Sequence, residues 1–366
     1  MALGDRLPDF PWDTLSDAKR VASAHPDGLV DLSVGTPVDP TPHLAREALS
    51  AASDAPGYPT VWGAPATRRA ILDYLERRWA AVALPDQGVL PVIGTKELVG
   101  WLPTLLDLGP SHAVVFPECA YPTYEVGALT AGSRAVPLDD PSRIPEDARL
   151  IWINSPANPT GRILSLDEIR AFVAAARERG AVLASDECYG EFAWDAEPFS
   201  VLDPRVNDGD VTGLLAVGSL SKRSNAAGYR AGFVAGDPAA VQQLVAARKH
   251  LGMIVPAPIQ AAMVAMLGDQ AHVEEQRGRY LARRAALKPA LEAAGFRIEH
   301  SEGSLYLWAT RDEDSRASVA WLAERGILVA PGDFYGVAAA RHVRVALTGT
   351  DERVAAAAAR LEASRD

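Results

Sequence analysis

From about residue 89 the chain alternates short apolar runs with amphipathic segments, and this alternation limits the fold more than any other feature. The runs read VLPVI, AVVF, RLIWI, AVLAS, GLLAV and AGFVA. The segments between them carry helix signals. SLDEIRAFVAAARERG opens on Ser165 with Glu168 three residues on, a capping-box pattern, and closes on Arg177, Arg179 and Gly180, a C-terminal stop. Strands alternating with helices predict an α/β fold with a mostly parallel sheet flanked by helices. Ligands of such sheets sit outside the carboxyl ends of the strands. The residues that follow each run are therefore the ones to read for chemistry.

The last third reads differently. A long helical segment, about Gln270 to Ala294, leads into FRIEHSEGSLYLWAT, a helix near Ser315 to Arg325, and then GILVAPG and HVRVALTG. Fewer strands and longer helices predict a second, smaller α+β domain starting near Pro256. The first forty residues, rich in Pro and Asp, hold no complete βα unit and are expected to pack onto it. The expected division is a large domain over 40–255 and a small domain built from 1–39 and 256–366, consistent with about two domains in 366 residues.

Charge and spacing exclude several classes. A formal charge of −11 and the lack of a basic run argue against a nucleic-acid partner. No stretch approaches the ~20 apolar residues of a membrane span. MALGDRLPDFPWDTL lacks the basic start and apolar block of a signal peptide. Cys119 and Cys188 suggest no disulfide framework, so a cytoplasmic chain is expected. The seven histidines are scattered without a metal-ligand spacing. Neither the nucleophile elbow nor the dinucleotide fingerprint is present.

The strand ends are unusually polar. After VLPVI, Gly94-Thr95-Lys96-Glu97 opens a helix whose N–H groups suit an anion such as phosphate, or forms a plain turn capped by Thr95. After AVVF comes PECAYPTY, where Tyr121 offers a flat ring or a core tyrosine. After RLIWI, NSPANPTG forms a rigid turn that aims the Asn158 amide. After AVLAS stands Asp186, costly behind an apolar strand unless it meets a cation or several donors, or caps a helix. After GLLAV comes SLSKRSNAAGYR, with Ser219, Lys222 and Arg230. An anion cradle, a ring, an amide, a carboxylate and a lysine at successive strand ends suit pyridoxal phosphate. Its aldehyde needs a lysine, its phosphate needs a helix N-terminus, hydroxyls and a cation, and its ring nitrogen needs a carboxylate.

Over nearly its whole length the chain resembles the fold-type I pyridoxal-phosphate enzymes, class I/II aminotransferases in particular. The motifs run in that family's order: Gly35 in LSVGTPVDP, Tyr58 in GYPTVWG, the five segments above, and Arg344 in HVRVALTG. The resemblance implies that the large domain binds the cofactor and that Lys222 holds it, then moves a proton between substrate and cofactor once freed. It implies that Asp186 keeps the pyridine nitrogen protonated, that Asn158 and Tyr189 bond the ring hydroxyl oxygen, and that Tyr121 stacks on the ring. Thr95 and Lys96 (through backbone N–H), Ser219 and Arg230 would bind the phosphate. Tyr58 would reach it from a partner subunit, implying a homodimer with shared sites. Gly35, Asn158 and Arg344 would meet the substrate, Arg344 by a bidentate pair with its α-carboxylate.

A narrower likeness, carried by LPDFPWDTL, VIGTKELVGWLPTLL and PECAYPTYEVGA, is to actinobacterial N-succinyldiaminopimelate aminotransferases of lysine biosynthesis. It implies ping-pong transfer between glutamate/2-oxoglutarate and N-succinyl-2-amino-6-oxopimelate. Such a substrate calls for a second cation, with Lys96 and Arg223 as candidates by placement. The alternatives are aminotransferases acting on aspartate, alanine or aromatic amino acids, a lyase on the same scaffold, or a non-catalytic pyridoxal-phosphate sensor fused to a regulator. The sensor reading is disfavoured because Gly35 already belongs to the module.

Overall fold

The computed structural model describes residues 3–363. Its strands, in chain order, are β1 (Val30–Asp31), β2 (Val89–Val92), β3 (Ala113–Phe116), β4 (Arg134–Pro137), β5 (Ala148–Asn154), β6 (Val182–Asp186) and β7 (Leu214–Ser219). They continue with β8 (Gly232–Gly236), β9 (Arg297–Glu299), β10 (Tyr306–Thr310), β11 (Ile327–Leu328), β12 (Ala330–Pro331) and β13 (His342–Ala346). One seven-stranded sheet runs in the order β2-β8-β7-β6-β5-β3-β4. All six expected runs are in it. The seventh strand, β4, is half-exposed and begins with an arginine, so its sequence RAVP carries no apolar run.

Every pairing in this sheet is parallel except those of β8, which runs antiparallel to β2 and β7. The link from β7 to β8 holds only the one-turn helix Leu220–Arg223 and a turn at Ala227–Tyr229. Neither can carry the chain back along the sheet as a parallel crossover requires.

Alternating side chains send each strand into two cores. On β5, Ile151 and Ile153 face one layer with Ile71, Leu183 and Phe233, while Leu150 and Trp152 face the other with Leu98, Leu215 and Val234. The helix Leu166–Arg179 covers the first layer through Ile169, Phe172 and Val173, and its capping box forms as expected between Ser165 and Glu168.

The second sheet is antiparallel, in the order β12-β13-β10-β9. The N-terminal segment packs with the C-terminal part of the chain, since β1 pairs with β11 in a separate two-stranded parallel sheet and the helix Ser16–Ser23 packs on the helix Ser315–Ala323. The helix Ala257–Gly268 stays with the larger core, packing on helices His43–Ala51 and Pro65–Trp79 through buried Met263 and Met266. We propose the division into two domains with its seam after Gly268, beyond the expected Pro256.

Asp39 of the N-terminal segment is clamped by Arg283 on the helix Ala271–Ala293, at 2.7 and 2.8 Å, and accepts from Gln276 at 2.7 Å. Burial alone would raise the Asp39 carboxyl, but the bonds from Arg283 and Gln276 hold it below the usual range. Its stabilising contribution is therefore present above the ordinary carboxylate range and lost as pH falls through the lower folded-state value. Arg283→Met should cost about 3–5 kcal/mol by leaving a carboxylate without its cation. Asp39→Asn should flatten the acid dependence of the denaturation midpoint, read by urea titration at a series of pH values.

Candidate active site

A cavity of about 660 Å³ opens where β5, β6 and β7 end, bounded on the far side by Tyr306 of β10 and Arg344 of β13. Strand register begins its assembly by setting Asn154 beside Asp186. Asn154 then shapes the turn after it. Its Oδ1 accepts from the Asn158 backbone N–H at 2.7 Å and its Nδ2 donates to the Asp186 carbonyl at 2.8 Å. The Asn158 side chain is thereby aimed at the small sheet, where Oδ1 accepts from Arg344 Nη1 at 2.8 Å. Arg344 is 3% exposed, donates to the Ser33 carbonyl at 2.7 Å and lies over the Tyr306 ring at 4.1 Å. It meets no carboxylate, and its buried Nε has no partner among the described residues.

Asp186 is the converse case. It is buried, its Oδ2 accepts from Tyr124 at 2.8 Å and its Oδ1 from the Cys188 N–H at 3.2 Å, with no cation on it among the described residues. Burial lifts its carboxyl above the usual range, although the Cys188 and Tyr124 bonds oppose the lift. Lys222 projects from the turn after β7 and donates from Nζ to the Gly35 carbonyl. Burial lowers its amine below the usual lysine range, and the Arg344 and Arg230 charges push the same way. The Tyr189 hydroxyl pairs with Tyr306 at 2.8 Å.

At the other end of the cavity, Gly94 precedes the helix Thr95–Leu105 with φ 72°, and Arg230 holds a left-handed φ of 54°. The Arg230 guanidinium lies where a Cβ on Gly94 would be, so only glycine lets the cation approach the helix start. Glu97 is taken up by Arg248 at 2.8 Å. The start of this helix, the Arg230 guanidinium and Ser219 thus meet at one end of the cavity, an arrangement of the kind that suits an anion. Thr95 is tied to the end of β6 through Cys188, whose sulfur lies 3.4 Å from Thr95 Oγ1.

Of the residues singled out from sequence, Gly35, Thr95, Lys96, Tyr121, Asn158, Asp186, Tyr189, Ser219, Lys222, Arg230 and Arg344 line this one cavity. Tyr58 does not; it is fully exposed. The placement of Arg223 as a second substrate cation is corrected. Arg223 turns away into the protein, 3.0 Å from Glu191, because an unpaired guanidinium there would cost more than the pair. Lys96 does face the cavity, 5.8 Å from the centroids of both Phe10 and Tyr121. Tyr124, which bonds Asp186, and Asn154, Ser221 and Tyr306 of the cavity wall carried no assigned role in the sequence. Tyr124 was visible three residues after Tyr121, whereas Tyr306 enters only because β10 pairs with β13.

The family model for aminotransferase class I and II matches residues 27–361, and the chain belongs to that family. A probable aminotransferase of Mycobacterium tuberculosis is 62% identical over 356 residues, covering 97% of this chain and 85% of the relative. A 4-dedimethylamino-4-oxo-anhydrotetracycline transaminase of Streptomyces rimosus is 57% identical over 356 residues, covering 97% and 99%. Among solved structures, a probable N-succinyldiaminopimelate aminotransferase from Thermus thermophilus matches with a TM-score of 0.86 at 27% identity, covering 97% of this chain and 100% of that one. The protein is a pyridoxal-phosphate-dependent aminotransferase of fold type I. Enzymes of this class exchange amino groups between amino acids and oxo acids. Among the described residues no helix is long and apolar enough to cross a membrane.

Gly94→Ala should force its Cβ onto the Arg230 guanidinium at a left-handed backbone position, costing about 1–2 kcal/mol. It should weaken cofactor retention about tenfold, measured by equilibrium dialysis against pyridoxal phosphate.

Proposed function

We propose that Lys222 carries the cofactor and that the surrounding side chains hold it as the cavity's uncompensated charges suggest. Bound pyridoxal phosphate supplies an electron sink for the negative charge that develops at the substrate α-carbon. Asp186, a buried acceptor with no cation, fits a protonated pyridine nitrogen. Thr95 and Lys96 N–H groups, Ser219 and Arg230 fit the phosphate, Tyr121 a ring face, and Asn158 with Tyr189 the ring hydroxyl oxygen. Arg344, rigid over Tyr306 and free of carboxylates, fits the substrate α-carboxylate bidentately, next to Gly35 and Asn158. With its amine below the usual range, Lys222 is poised to take a proton from the α-carbon and return it elsewhere. The exposed Tyr58 lines no part of its own chain's cavity, which favours a homodimer in which it reaches the partner's site.

For substrate, we infer transfer between glutamate/2-oxoglutarate and N-succinyl-2-amino-6-oxopimelate, a step of lysine biosynthesis. Lys96 carries this reading: it is a cation on the cavity wall with no carboxylate partner among the described residues, available to a distal carboxylate. The similarity to the Thermus thermophilus protein supports it. A second reading is favoured by the 57% identity with the tetracycline-pathway transaminase and by apolar Phe10, Trp12 and Val34 on the cavity wall, which suit a bulky ring.

Borohydride reduction of the yellow protein should fix the cofactor to the peptide containing Lys222, and label on another lysine would overturn the site. Arg344→Ala should weaken every amino-acid substrate alike. In a half-reaction panel, N-succinyl-LL-diaminopimelate and glutamate should convert the cofactor fastest, and Lys96→Met should slow both by about tenfold while sparing alanine. Faster conversion with aspartate or alanine would sink the substrate assignment. Faster reaction with an amine of the anhydrotetracycline type would favour the second reading.

A further inference from the structure

The two residues after Lys222 are bound into a part of the chain that makes no contact with the cavity. Arg223 is buried and donates to the Met266 carbonyl at 2.6 Å, the Asp269 carbonyl at 3.2 Å and Gln270 Oε1 at 3.1 Å. These acceptors lie at the junction between the helices Ala257–Gly268 and Ala271–Ala293. Ser224, 1% exposed, meets His272 of the second helix, with Oγ 2.9 Å from Nε2. The other ring nitrogen, Nδ1, lies 2.6 Å from Asp269 Oδ2, which also accepts the His272 backbone N–H at 3.0 Å.

The tautomer follows from the partners. The Asp269 carboxylate only accepts, so Nδ1 carries the hydrogen, Nε2 presents its lone pair, and Ser224 donates to it. Burial lowers the His272 imidazole below its usual range, which keeps the ring neutral, while the bonds from His272 keep Asp269 ionised. Arg223 Nη1 in turn donates to Ser224 Oγ at 3.4 Å. The donors thus run one way, from Arg223 through Ser224 and His272 to Asp269. A serine, histidine and aspartate in this order resemble a hydrolytic triad, but Ser224 is sealed from solvent and has no access to a substrate.

Arg223 also pins the lysine turn to the segment of Tyr189 through Glu191, which is held in turn by Tyr74 at 3.1 Å and Arg78 at 3.1 Å. The turn carrying Lys222 is one turn of helix and cannot hold its own geometry. These side-chain bonds hold it alongside the backbone bonds from Leu220 N–H to the Ala231 carbonyl and from Ser224 N–H to the Leu220 carbonyl.

We propose that His272, oriented by Asp269 and acting through Ser224, is a positioning residue that sets the reach of the Lys222 amine. This rests on Lys222 being the cofactor lysine.

The test compares Ser224→Ala, His272→Asn and His272→Gln in the full-length chain. Asparagine keeps a donor for Asp269 but loses the acceptor for Ser224; glutamine keeps an acceptor for Ser224. Two quantities are read. The first is the rate at which added pyridoxal phosphate attaches to cofactor-stripped protein, trapped with borohydride on the Lys222 peptide. The second is the limiting rate and half-saturation of the half-reaction with the fastest amino acid. Ser224→Ala and His272→Asn should each slow attachment and the limiting rate about tenfold, with half-saturation within about twofold. Their double variant should be no slower than either alone, and His272→Gln should stay within about threefold of the unaltered enzyme. Rescue by asparagine in place of glutamine would mean that His272 only starts its helix, and three unchanged variants would also overturn the proposal. Borohydride label away from Lys222 in the unaltered enzyme is a separate outcome, which removes the cofactor-lysine reading itself.

Discussion

The short return between β7 and β8 is the constraint on which the site depends. Between Ser219 and Gly232 the only α-helix is Leu220–Arg223, about 6 Å long at 1.5 Å per residue. A five-residue strand spans about 17 Å, a distance the link does not travel because it is coiled into one turn of helix and a turn at Ala227–Tyr229. It enters β8 at the end it has just left, and Lys222 and Arg230 are held at the same edge of the sheet. A parallel crossover would have carried Arg230 to the opposite edge, some strand length from the lysine. The amine and the guanidinium are together because the connection stays coiled at the end of the sheet where it began.

Around that return the protein places charges it does not neutralise. Arg344 is satisfied by an amide oxygen and a backbone carbonyl, and Asp186 by a tyrosine hydroxyl and a backbone N–H. Buried charges are ordinarily paired with each other. Here each is solvated by neutral dipoles, which leaves the carboxylate free for a cationic ring nitrogen and the guanidinium free for a carboxylate. Elsewhere the rule holds: Arg223 meets Glu191, Arg248 meets Glu97, and Arg283 meets Asp39. The contrast sets Arg344, which meets only neutral dipoles, apart from three arginines whose carboxylate partners tie parts of the fold together.

Much of this was legible without coordinates, for a physical reason. Strands buried on both faces of a parallel sheet show as apolar runs, and chemistry at their carboxyl ends shows as polar residues directly after them. Asp186, Lys222 and Asn158 could be read because each sits at a run's end. β4 was missed because RAVP is half-exposed and has no apolar run to show, unlike the buried edge strand β2. Arg223 was misplaced because adjacency to Lys222 does not reveal which way a side chain turns. His272, one of seven scattered histidines, became interpretable only when the helix junction brought it to Ser224.

The sequence by itself determined the α/β architecture, the order of the strand-end residues and the spacing of lysine and arginine across one short link, because all of these are local or periodic properties of the chain. Tertiary structure decided which residues share the cavity. Gly35 and Arg344 arrive from segments more than a hundred residues from Lys222, and Tyr306 from one 84 residues away. It also decided which cations stay free. Whether an arginine faces a ligand or a glutamate depends on packing across the sheet, and no spacing along the chain encodes that.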